Sequence, residues 1–149
     1  MKLTIALPIL LASLALVACG EVDPDSPLGQ RQAIFKQMLK TSEDLGGMLR
    51  GRLAFDEQRF VSGAAELDRL ARAPWQHFPQ VREEDGSQAK DEVWQRQARF
   101  QQLARELEGA TAALVAATTA RPLRERTLAP AMQRVEDSCE ACHQEFRAF

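Results

Sequence analysis

Cys139-Glu140-Ala141-Cys142-His143 is the segment whose residue types and spacing together specify a chemistry. On a helix, residues three and four apart share a face, so Cys139, Cys142 and His143 project to the same side. Two thiols held this way can add to the two vinyl groups along one porphyrin edge. The imidazole, four residues after the first thiol, reaches the iron from the same helix. The motif thus supplies two thioethers and one axial ligand, the requirement for proximal histidine ligation of a covalently attached haem. The competing reading is a redox or zinc Cys-x-x-Cys beside an incidental histidine. Zinc needs a second ligand pair. His77 is the only other histidine, and the third cysteine, Cys19, lies at the far end of the chain.

A motif of this kind needs a helix beneath it and apolar faces around it. From Leu28 onwards no alternating run of β-branched residues occurs and there is no tyrosine, whereas apolar residues recur at helical spacing. Ile34, Phe35, Met38, Leu39, Leu45, Met48 and Leu49 mark a first stripe ended by Gly51. Asp56 is an N-cap for a second helix carrying Phe60, Ala64, Leu67 and Ala71, stopped by Pro74. Trp75 to Lys90 reads as the longest loop. A third helix is predicted from Asp91 to Thr118, with Val93, Phe100, Leu103, Leu107, Ala110 and Leu114 on its face. After the break at Arg121-Pro122, the last stripe is Leu128, Met132, Val135, Cys139, Cys142 and Phe146. Pro130 implies that this helix starts near Leu128 or bends there. Four amphipathic segments with short connections predict an all-α fold, an antiparallel up-down-up-down four-helix bundle.

Length and composition agree with one soluble domain: 149 residues, 45% apolar and 27% charged. A formal net charge of −2 excludes the basic field that a nucleic-acid partner requires. Residues 1–18 read as a secretory signal, with Lys2 as the positive start, an apolar run from Leu3 to Ala18, and small residues before Cys19. The run is too short for a membrane span, which takes about 20 residues. Leu16-Val17-Ala18-Cys19 resembles the lipobox of bacterial lipoproteins, and the resemblance makes Cys19 the lipidated residue of a membrane-anchored protein. Gly20 after it points to the outer membrane of the cell envelope, periplasm-facing. Residues 19–27, with Pro24 and Pro27, read as a tether, and 28–149 as the haem domain. With Cys19 given to lipid and Cys139 and Cys142 to haem, no cysteine is left for a structural disulfide.

A C-terminal Cys-x-x-Cys-His on the last of four helices resembles the cytochrome c′ family. The resemblance runs from about Leu28 to Phe149. It takes in Arg31-Gln32-Ala33-Ile34-Phe35, Leu70 through Pro74-Trp75, Glu92-Val93-Trp94, and Phe146-Arg147. It implies one covalent haem c per chain, with the first helix across the distal face and the residue four after Arg31 over the iron. That residue is Phe35, where electron-transferring relatives have methionine. A phenyl ring cannot ligate iron, so the resemblance implies a five-coordinate site. An apolar distal side selects nitric oxide and carbon monoxide over oxygen. It further places Arg31 against a haem propionate and Arg147 in the proximal pocket, near His143. Met38, one turn beyond Phe35, is the alternative distal group. Met48 and Met132 read as packing, Trp75 and Trp94 as core, and His77 as a loop residue.

Three functions compete. The first is gas binding, for nitric oxide buffering, detoxification or sensing. The second is a low-spin His–Met electron carrier, and the third is an enzyme such as a peroxidase, which lacks distal acid–base groups apart from Arg31. No redox partner is legible. The resemblance also implies a homodimer through the first two helices, where Gly46-Gly47 would permit close approach.

Overall fold

Local chemistry sets the ends of the first helices in the computed structural model, which describes residues 22–82 and 86–148. The signal segment 1–18 and Cys19 lie outside the described residues. Helix α1 (Pro27–Leu49) starts where the Ser26 hydroxyl accepts from the Gly29 amide and Pro27 fills a position that needs no N–H. Its first residue therefore falls inside the stretch read as tether. It ends at Gly51, whose φ of 71° turns the chain left-handed so that the Arg52 amide donates to the Gly47 carbonyl at 2.9 Å. Helix α2 (Glu57–Ala71) is capped by Asp56, which accepts from the Arg59 amide. A single 3₁₀ turn, Trp75–His77, follows Pro74. Helices α3 (Glu92–Gln95), α4 (Gln97–Ala117) and α5 (Glu125–Phe146) complete the chain.

Two expectations are corrected. The helix predicted over 91–118 is divided at Arg96, whose φ of −121° and ψ of 47° lie outside the helical region. Long-range contacts accompany the break. The Arg96 guanidinium pairs with Glu145 at 2.9 Å and lies 5.7 Å from the Phe146 ring centre, while the Trp94 indole donates to the Pro79 carbonyl. The last helix begins at Glu125, ahead of the start expected near Leu128, and runs through Pro130. Pro130 is exposed in its second turn, where water can take the carbonyl left without a donor.

The four long helices form an antiparallel up-down-up-down bundle. Helix α1 packs on α2 and α5, and α4 packs on the same two. At one end the Leu123 amide donates to Glu57. At the other, the first turns of α1, the 3₁₀ turn, residues 86–90 and the last turns of α5 meet. There Ala89 and Arg147 form a β-bridge, and the Lys90 amide donates to the Phe146 carbonyl. The main core runs through all four helices and includes Met38, Leu45, Met48, Phe60, Leu67, Leu114, Leu128, Met132 and Val135. A smaller core of Val93, Phe100, Leu103 and Phe146 fills the end where 86–90 meets α5, and Trp75 packs against both. Gly46 and Gly47 are buried within the chain: a side chain at Gly46 would strike Arg50 and Glu136, and one at Gly47 would meet Leu53. Their lack of a side chain lets Arg50, Glu136 and Leu53 pack closely within the bundle.

Candidate functional site

Cys139, Cys142 and His143 occupy the last two turns of α5, each partly buried. Cys139 faces the main core and Cys142 the smaller one, so the two thiols straddle the seam between the clusters. Burial pushes both thiols up to about 11, reinforced by Glu136 at Cys139 and by Cys139 and Glu145 at Cys142. Such thiols stay protonated at neutral pH, the opposite of an activated redox pair. Burial also lowers the proton affinity of His143, and the nearby Arg147 charge lowers it further. A neutral imidazole is the form that binds a metal. Among the described residues no three His, Cys, Asp or Glu side chains converge on a metal site.

Phe35 approaches this seam from α1. Its ring meets Trp75 edge-on at 6.1 Å, Trp75 meets Phe100 at 5.8 Å, and Phe100 meets Phe146 at 5.3 Å and Phe78 at 4.9 Å. This chain of rings runs from α1 to α5 at the end of the bundle that holds the motif. Met38 is buried in the main core on the same helix. The indole N–H of Trp75 is buried and, among the described residues, has no acceptor. A lost partner for such a donor costs about 1–3 kcal/mol.

Arg31 is 3% exposed. Its Nη1 donates to the His77 carbonyl at 2.9 Å, its Nη2 to Ser87 Oγ at 3.1 Å, and the guanidinium lies 4.6 Å from the Phe78 ring centre. It thereby ties α1 to both ends of the 78–87 connection. Arg147, just past α5, donates to Gln88 from Nε and Nη2. Beside Cys142, Glu145 accepts from Arg99 and Arg96 of the α3–α4 segment. Sequence reasoning missed Gln88 and Glu145, which carry no local signal, and read Trp75 only as core.

A family profile described as "Cytochrome C'" matches residues 26–147. The chain belongs to the cytochrome c′ family. A cytochrome c′ of Rhodopseudomonas palustris is 30% identical over 150 residues, which cover 99% of this chain and 98% of that one. The cytochrome c′ of Shewanella frigidimarina superposes with a TM-score of 0.79 at 24% identity, covering 87% of this chain and all of that one. A variant of the Alcaligenes xylosoxidans cytochrome c′, solved as a nitric oxide complex, superposes at 0.76 with 25% identity, covering 87% and 99%. Another variant of that protein was solved with carbon monoxide bound. Members of the cytochrome c′ family carry haem c, and the four-helix bundle described above is their fold.

The residues present fit that group. Two thiols on one helix face, a neutral imidazole one position on, a wall of aromatic rings and a buried donor without an acceptor among the described residues suit a porphyrin with a polar edge.

Proposed function

We propose that this chain holds one haem through thioethers to Cys139 and Cys142, with His143 as axial ligand, and binds nitric oxide and carbon monoxide at an open sixth position. Bound haem supplies an iron centre that takes a diatomic ligand or exchanges an electron. The chain's own residues decide which. Phe35 brings only carbon and hydrogen to the aromatic wall, so it offers the iron no ligand and a bound gas no hydrogen bond. The observation that carries the reading is the arrangement in which Phe35 on α1 and the Cys-x-x-Cys-His on α5 meet through Trp75 and Phe100. The gas complexes of the Alcaligenes xylosoxidans protein support it.

Trp75 Nε1 is proposed, with Arg31, to face the polar propionate edge, which would give the orphaned donor its acceptor. Arg147 is proposed to stand on the proximal side, where its charge already acts on His143. The protein acts by binding rather than catalysis: Arg31, the one distal acid–base candidate, is bonded to backbone and to Ser87. It sits in the periplasmic side of the cell envelope, held by acyl groups on Cys19. Pairing through α1 and α2 is supported by Leu39, 60% exposed on α1.

The second reading is a His–Met electron carrier, favoured by the burial of the Met38 thioether in the core beside Phe35. An absorption spectrum of the reduced protein separates the two. A high-spin spectrum that shifts on adding carbon monoxide supports the open site. A low-spin spectrum indifferent to carbon monoxide overturns it.

A further inference from the structure

The described residues ahead of α1 do not hang loose from the bundle. Val22 packs on Gly86, where an added Cβ would lie 3.3 Å from the valine Cγ2 and 3.6 Å from Leu28. The backbone at Asp23 and Pro24 crosses the first turn of α1 so closely that a side chain at Gly29 would run into both. Asp23 closes this turn: its carbonyl accepts from the Ser26 amide at 3.1 Å and the Ser26 hydroxyl at 2.6 Å, and its carboxylate from the Asp25 amide. Gln30 then reaches back to the Asp25 carbonyl at 3.0 Å. The chain is therefore fixed to the bundle from Val22 onward. It is fixed at the end where Arg31, Trp75, Gln88 and the Cys-x-x-Cys-His turns of α5 lie.

Three Cα–Cα steps separate Val22 from Cys19, a reach of at most about 11 Å. Helix α5 has 22 residues, which at 1.5 Å each make it about 33 Å long. A tether one third of the bundle's length, rooted at one end, keeps that end at the anchoring surface. The same end carries Val81, which at 77% is the most exposed of the large apolar side chains among the described residues. It belongs to the connection whose two ends are bonded to Arg31.

We propose that the haem-bearing end of the bundle faces the bilayer that holds the acyl groups of Cys19, with Val81 at the lipid surface and the Glu57–Leu123 end turned to the periplasm. The inference rests on the reading of Cys19 as lipidated. Its consequence is that the haem site lies near the acyl phase, in which apolar diatomic gases dissolve better than in water. The partner of this surface is lipid.

The test uses the full-length, haem-loaded protein, purified from membranes and reconstituted in vesicles of phosphatidylethanolamine and phosphatidylglycerol. With Cys19 acylated and Cys139 and Cys142 bonded to haem, Val81→Cys and Ala120→Cys each leave one thiol for a nitroxide label. Power saturation compares collisions with dissolved oxygen, which concentrates in lipid, and with a water-soluble nickel chelate. The oxygen-to-nickel ratio should be several-fold higher at position 81 than at position 120. A twelve-residue glycine–serine insertion between Gly20 and Glu21 should abolish that difference while acylation is retained. Acylated protein with equal ratios at both positions, or a higher ratio at 120, overturns the orientation alone. A mass that shows no acyl groups overturns the anchor and the orientation together.

Discussion

Gln88 and Arg147, 59 residues apart, are clasped by their side chains: Gln88 Oε1 accepts from Arg147 Nε at 3.2 Å and Nη2 at 3.0 Å. The backbone repeats the clasp, with the Ala148 amide donating to the Gln88 carbonyl at 2.8 Å. The charge that acts on His143 is thus held by a residue of the 86–90 segment as well as by α5, whose His143 carbonyl accepts from the Arg147 amide at 3.0 Å. Gln88→Ala should leave haem attachment unchanged and loosen the C-terminus. Amide exchange at Arg147 and Ala148 should speed up several-fold while α5 core amides keep their protection. Unchanged exchange at both residues would show that the side-chain clasp contributes nothing.

Replacing Cys139 and Cys142 with alanine removes both thioethers. Acidified acetone should then extract the haem completely, whereas it should stay with the native chain. Haem that resists extraction from the double variant would place the attachment elsewhere.

Phe35 and Met38 carry the choice between gas binding and electron transfer. Phe35→Met puts a thioether into the aromatic wall next to Trp75 and should convert a high-spin ferrous spectrum towards low-spin, with carbon monoxide affinity falling at least tenfold. Met38→Leu keeps the volume and the apolar character of a core position, so it should leave the spectrum unchanged and cost less than about 1.5 kcal/mol of stability. A native low-spin spectrum that turns high-spin on Met38→Leu would make Met38 the sixth ligand.

Trp75→Phe removes the orphaned donor and retains an aromatic ring. If the indole serves the propionate edge, resonance Raman bands of the propionates should shift in the variant while the bundle stays folded by circular dichroism. Identical propionate bands would assign Trp75 to packing alone.

Glu145 gives a pH dependence of known sign. The hydrogen bond from Arg99, with the charges of Arg99 and Arg96, holds its carboxyl below the ordinary range against the opposing effect of burial. A group whose proton affinity is lowered by folding stabilises the fold fully above its unfolded value, and that contribution fades as pH falls through the folded value. Urea unfolding should therefore show Glu145→Gln less stable than the native protein at pH 7, and the difference should shrink when the pH is taken below the ordinary carboxylate range. A difference that is equal at both pH values would remove the ion-pair explanation.

The sequence by itself determined what depends on neighbours a few residues away. Cys139, Cys142 and His143 share a face because the helix repeat places them there. Asp56 caps α2, and Gly51 and Pro74 terminate helices, through bonds and sterics within one turn. The apolar stripes of period 3.6 dictated a bundle of four long helices. Tertiary structure decided whatever required a partner far along the chain. The break at Arg96 coincides with contacts to Glu145 and Phe146, and Pro130 fits in α5 because its turn faces outward. Arg31 is committed to His77 and Ser87, 46 and 56 residues away, and Arg147 to Gln88. The burial of the Trp75 indole away from every acceptor among the described residues arises where α1, the 3₁₀ turn and α4 converge. Helix caps and faces are written in short-range spacing, which a sequence displays directly. Desolvation, ion pairing and the direction of a side chain depend on which surfaces meet, and that is set only when the helices pack.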